Sequence, residues 1–212
     1  MKTRDRILSA ALDLFNEEGE AEITALDIAN ALEISPGHLY YHFKGKDALI
    51  QDLFDNFEEE MRVILQGARG RLTTLEEHWV FLYILLEEIY DFRFYYRSLS
   101  HMAARYPDLS NRLTYLNSSL RDIVDASLNE FGDEELLPTK SRLKAVLVDQ
   151  LLATLTFWLE EDAMGGWNSD RTPSDLIHDT VLRALLLIAP YLRGDRDAIN
   201  ADILARYDHL AG

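Results

Sequence analysis

The sequence predicts an all-α chain. Three observations carry that reading. Apolar residues recur at three- and four-residue spacing along nearly all of the 212 residues, no stretch alternates as a half-buried strand requires, and cap residues precede the periodic runs at Thr24, Ser35 and Thr172. The runs fall into an N-terminal group of three short helices over residues 1–46 and a larger helical body over residues 47–212.

Thr3 can cap a first helix in which Ile7, Ala11 and Leu14 form one row and Leu8, Leu12 and Phe15 its neighbour, with Gly19 as its end. Thr24 opens a second helix. Its spacing to Asp27 matches a capping box with Asp in place of Glu, and Leu26, Ile28, Ala29 and Leu32 are its apolar positions. Only Glu33 and Ile34 separate it from Ser35, so the second and third helices are joined by a tight turn, the geometry of a helix-turn-helix.

The third helix carries the chemistry. Ser35 offers an N-cap oxygen and Pro36 fits the first helical position, where no donor is missed. Gly45, between Lys44 and Lys46, closes it after about two turns. Leu39 and Phe43 share one face and are expected core, while His38, Tyr40, Tyr41 and His42 occupy the other. Two phenols and two imidazoles followed by two lysines suit a surface that touches an anionic polymer.

Composition limits the alternatives. The net charge of −16 opposes nucleic-acid binding by the chain as a whole. Residues 1–50 nevertheless carry a net of only −4, and their positive groups cluster at Lys2, Arg4, Arg6, Lys44 and Lys46. An acidic body would then suppress non-specific binding. Cysteine is absent, which excludes disulfides and thiolate metal sites and agrees with a cytoplasmic location. No signal peptide is visible, and the longest apolar run, Trp79 to Leu86, is far shorter than the ~20 residues that span a bilayer, so no membrane partner is expected. The histidines are dispersed, with no HExxH, phosphate loop or nucleophile elbow, so neither an enzyme nor a metal or cofactor is expected.

In the body, a long helix runs from Lys46 through Leu49, Ile50, Leu53, Phe54, Phe57, Met61, Ile64 and Leu65. A fifth helix over Leu75 to Tyr96 is apolar nearly all round its middle, hence central. Pro107 starts the next, which Gly132 closes, and GDEELLP reads as a loop. Thr139 opens a helix to about Glu161, and Thr172, Pro173 and Asp175 open another to about Leu187. Both carry two apolar stripes where a surface helix of a monomer needs one. The spare area predicts a homodimer whose interface includes Leu147, Leu151, Leu155, Trp158, Val181, Leu185 and Ile188. A short terminal helix around Ile199, Leu204 and Tyr207 ends the chain.

From Ile7 to Ile50, through Phe15, Gly19, Thr24, Ile28, Ala29 and the run GHLYYHFKGKDAL, the sequence resembles the DNA-binding domain of the TetR family of bacterial transcriptional regulators. The resemblance implies a double-stranded DNA operator as partner. It assigns Tyr40, His42 and Lys46 to phosphates, Thr24 and Ala25 to the DNA backbone and Gly37, His38 and Tyr41 to base edges, with Ser35 among the DNA-binding residues. It also implies a small-molecule effector in the second domain. There the aromatic and basic stretch provides the candidates Trp79, Tyr83, Phe94, Tyr95, Arg97, His101 and Met102. Two positions depart from the family. Glu33 stands where the turn usually has Gly and must accept a left-handed conformation or a slightly different turn, and Pro36 replaces a polar residue able to reach a base. The charge and Pro36 leave a second reading, a helical interaction or small-molecule-binding module without specific DNA binding.

Overall fold

A computed structural model describes residues 3–72, 74–163 and 171–210. The structure is helical, and among the described residues the one extended pairing is an isolated bridge between Gly132 and Leu192. Lys2, counted above with the N-terminal basic cluster, lies outside the described residues.

Three helices, α1 (Thr3–Glu18), α2 (Ala25–Ala31) and α3 (Pro36–His42), pack around Ile7, Ala11, Phe15, Ile28, Leu39 and Phe43. Thr24 closes the expected capping box with Asp27. Ser35 accepts the His38 N–H at 3.1 Å, with Pro36 in the first turn behind it. The turn between α2 and α3 is a Schellman motif. Ile34 N–H donates to the Ala29 carbonyl and Glu33 N–H to that of Asn30, each at 3.0 Å. Glu33 sits at φ 54°, left-handed in the place where glycine is usual.

The long helix α4 (Lys46–Ala68) leaves this unit and buries Leu49, Ile50, Leu53, Phe54, Phe57, Met61 and Leu65. Around it stand α5 (Leu75–Asp91), α6 (Arg93–Tyr96), α7 (Leu99–Arg105), α8 (Pro107–Phe131), α9 (Arg142–Ala163), α10 (Pro173–Ile188) and α11 (Arg196–Leu210), with a short 3-10 turn at Ala189–Tyr191. An aromatic cluster of Phe54, Phe57, Phe92, Phe94, Tyr95 and Tyr96 fills the centre, the Phe57 and Phe92 rings stacked at 4.6 Å.

Four sequence expectations need correction. The fifth helix stops at Asp91 rather than Tyr96, because Asn16 of α1 bonds across the break: its Nδ2 donates to the Asp91 carbonyl at 2.8 Å and its Oδ1 accepts the Phe94 N–H at 3.0 Å. The ninth helix starts at Arg142, capped by Ser141 through the Lys144 N–H at 3.1 Å, and not at Thr139. In α11 the buried residue is Ile203, and Leu204 is exposed. The fourth concerns assembly. Leu147, Leu151, Leu155, Trp158, Val181 and Leu185, expected between subunits, are all buried within one protomer, and Ile188 is half-buried beside Leu192. In α9 both stripes turn inward, Leu147, Leu151 and Trp158 beside Val148, Leu155 and Leu159, and in α10 Ile177, Val181 and Leu185 do so. The outward stripe holds Leu143, Val146 and Phe157 of α9 and Leu186 of α10. Between these two helices runs a surface groove of about 610 Å³ that includes Phe157, Arg183 and Leu186.

Candidate nucleic-acid interface

The exposed face of α3 is built by what anchors its other side. Leu39 and Phe43 are buried, so the helix cannot rotate without exposing them. That leaves Ser35, Pro36, Gly37, His38, Tyr40 and Tyr41 in solvent and His42 half-buried, with Tyr41 79% exposed. The rings order one another: His42 lies edge-on between His38 and Tyr41, with centroids 5.3 and 5.2 Å away. Lys44 folds back over the Tyr40 ring at 4.9 Å and donates to the Tyr40 carbonyl at 3.2 Å, capping the C-terminus of α3. An exposed row of large aromatic side chains is costly in water unless a partner covers it.

Thr24 is exposed and Ala25 half-buried at the start of α2, on the edge that precedes α3 in a helix-turn-helix. Thr24 Oγ1 accepts the Asp27 N–H at 3.3 Å and donates to the Asp27 carboxylate. That hydroxyl and the Thr24 N–H, which also donates to the carboxylate at 2.8 Å, hold the Asp27 carboxyl below its ordinary value. Lys46 belongs elsewhere. Its ammonium is directed inward, 2.8 Å from Glu20 Oε1 and 2.8 Å from the Glu20 carbonyl, with its side chain only 20% exposed. The phosphate contact assigned to it therefore competes with an ion pair already made. Arg4 is likewise engaged, paired with Asp52 of α4 and lying over the Phe43 ring at 4.8 Å.

The candidate effector residues do not form one site. Phe94, Tyr95 and Met102 are core. Arg97 donates to the Asn16 carbonyl at 3.2 Å and His101 approaches Glu20 Oε2 at 3.3 Å, so both face the end of α1 and the loop after it. Trp79 is buried and Tyr83 half-buried, the latter tilted against the His178 ring of α10 at 4.9 Å. Among the described residues, five buried polar atoms have no hydrogen-bond partner: Nε1 of Trp79 and of Trp158, the Tyr95 hydroxyl, Nε of Arg97 and Nδ1 of His178. Burial pushes the Tyr95 hydroxyl up to about 12, so it remains a donor. Sequence reasoning places Trp158 at the dimer interface and does not single out His178.

Separate family models match the two parts of the chain. Residues 7–53 match bacterial regulatory proteins of the tetR family, and residues 56–198 match a TetR family described as bacterial transcriptional repressor. The chain belongs to the TetR family of bacterial transcriptional regulators, whose members bind DNA operators and small-molecule effectors and form dimers. A TetR-family transcriptional regulator from Marinobacter aquaeolei VT8 is 26% identical, aligns over 99% of both chains and superposes with a TM-score of 0.80. The ketosteroid transcriptional regulator KstR2 of Mycobacterium tuberculosis shares the fold at 17% identity, over 91% of this chain and 96% of that one, with a TM-score of 0.67. The HTH-type transcriptional regulator UidR of Escherichia coli is 49% identical over 49 residues, 23% of this chain and 25% of that protein. The probable HTH-type transcriptional regulator YttP of Bacillus subtilis is 26% identical over 128 residues, 60% of this chain and 58% of that protein. The chain thus spans from a quarter to just over half of the length of these curated relatives. They are named as regulators and not as enzymes. Among the described residues no helix is long and apolar enough to cross a membrane.

Proposed function

We propose that this chain is a cytoplasmic, effector-responsive DNA-binding regulator, acting as a homodimeric repressor, with residues 1–46 as the DNA-binding domain and 47–212 as the effector and dimerisation domain. The observation that carries the reading is the α3 face: Gly37, His38, Tyr40 and Tyr41 are exposed together on a helix locked by Leu39 and Phe43 behind a helix-turn-helix turn. His38 and Tyr41 read base edges, and Tyr40 and His42 meet phosphates. Two copies of α3 must lie about one helical turn of DNA, ~34 Å, apart. The outward stripe of Leu143, Val146, Phe157 and Leu186 supports pairing of α9 and α10 with the same helices of a second copy.

The unpaired donors of Trp79 on α5, Tyr95 on α6 and Trp158 on α9 support effector contacts within the body. Buried donors left without acceptors cost stability, and an uncharged apolar molecule with acceptor oxygens would satisfy them. Such a ligand releases DNA if it binds more tightly to the conformation in which the two α3 helices are wrongly spaced.

Selection of binding sites from random duplex DNA with the purified chain, followed by mobility shifts at increasing salt, tests the reading. Enrichment of a two-fold symmetric sequence is expected. Recovery of no sequence above background would favour an interaction module without specific DNA binding.

A further inference from the structure

Two buried polar side chains, four residues apart, fasten the helix-turn-helix unit to the body. Asn16 is one. Its amide closes the break between α5 and α6 through Asp91 and Phe94, and its carbonyl takes the Arg97 guanidinium. The Phe15 ring packs beside it on Phe94 at 5.3 Å. Glu20 is the other, 5% exposed in the loop that leads from α1 to α2. Its carboxylate is reached from separate parts of the chain: by Lys46 at the start of α4 at 2.8 Å, by His101 of α7 at 3.3 Å, and by the Tyr106 hydroxyl between α7 and α8 at 2.9 Å. The same hydroxyl lies 3.1 Å from Asp47 Oδ1, and Arg105 reaches Asp47 at 3.4 Å.

These are stiff connections for a physical reason. A buried carboxylate is tolerated only while its donors converge on it, so Glu20 favours one placement of α7 over all others. Burial and the neighbouring carboxylates push the Tyr106 hydroxyl above its ordinary value, which keeps it a donor. Asn16 ties α1 to a helix break that its amide spans. A shift of α6 or α7 by the length of a hydrogen bond unpairs one group or the other.

We propose that Asn16 and Glu20 are positioning residues for DNA recognition: they set the angle of α2 and α3 on the body, so that rearrangement of α5 to α7 reaches the DNA through α1 as well as through α4. The proposal rests on the DNA-binding reading above, and it concerns residues that touch no base or phosphate.

The test uses the full chain and its selected operator, together with operators whose half-sites are moved apart or together by one and two base pairs, and with an isolated half-site. The variants are Asn16→Asp, Glu20→Gln and Tyr106→Phe, each close in shape to the native side chain. Wild type should discriminate sharply between spacings. The variants should lose roughly tenfold on the best spacing, the loss expected from about one hydrogen bond per subunit, while keeping their half-site affinity, so that the spacing profile flattens. A profile as sharp as that of wild type in all three variants overturns the proposal. Equal losses on half-site and full operator also overturn it, since these residues would then support the local fold of α1 to α3. If wild type selects no sequence at all, the DNA-binding reading fails first.

Discussion

Lys46 Nζ sits 2.8 Å from both the carboxylate and the carbonyl oxygen of Glu20, which turns a lysine with a family DNA-contact position into an internal tie. Lys44 is exposed at the C-terminus of α3, its ammonium resting on the Tyr40 carbonyl and ring. Lys44→Ala should lower the slope of log affinity against log salt by about one unit per subunit. Lys46→Ala should leave the slope nearly unchanged and lower thermal stability instead. Salt titrations of operator binding, paired with melting curves, separate the two.

His38 and Tyr41 are the exposed members of the ring trio on α3. His38→Ala or Tyr41→Ala should cost on the order of 1–3 kcal/mol per half-site on the selected operator and much less on random DNA. Equal losses on both would move specificity to DNA shape.

Phe157 and Leu186 are 50% and 40% exposed on the outward stripe of α9 and α10. Phe157→Glu or Leu186→Glu should give folded monomers by light scattering, with helical circular dichroism retained. Leu151→Glu or Leu185→Glu places a charge inside the protomer and should unfold it. A wild-type chain that is monomeric at micromolar concentration would refute the homodimer.

Glu88 of α5 gives stability a pH dependence. Burial, followed by the charges of Asp91 and Glu60, pushes its carboxyl up to about 7 from 4.5. Between these values the folded chain holds a proton that the unfolded chain has released, so its contribution weakens as pH rises through that window and stays unfavourable above it. Glu88→Gln should therefore stabilise the chain at about pH 8 relative to wild type and do little near pH 4. Urea midpoints at the two pH values measure this.

Glu33 holds a left-handed backbone conformation with its side chain in solvent. Glu33→Gly should relieve strain of about 1 kcal/mol, less the added freedom of the unfolded chain, and raise the urea midpoint slightly. A lowered midpoint would mean that the glutamate contributes contacts outweighing its backbone cost.

What could be read in advance was local. The capping boxes of Thr24 with Asp27 and Thr172 with Asp175 need only three residues of context, and the Ser35–Pro36 start of α3 needs two. The break after Asp91 could not be read, because the group that stabilises it, Asn16, lies 75 residues earlier in the chain. For the same reason Arg97 and His101 looked like ligand contacts: nothing near them in sequence points to α1. The two stripes of α9 are legible, but both turn inward, and the exposed row through Val146 and Phe157 is not part of either. Three-four spacing is silent on how much of a helix α10 and α6 cover.

The burial of Trp79 and Trp158 with unpaired indole N–H groups has an optical consequence. All three tryptophans of the chain follow residue 78, the third being Trp167, outside the described residues. The helix-turn-helix unit therefore contributes no indole emission of its own, and near-ultraviolet fluorescence observes the body alone. An acceptor arriving at either buried indole would change its emission directly, while DNA bound at α3 could do so only by moving the body. If the proposed effector contacts either indole, this emission distinguishes effector from operator without any label.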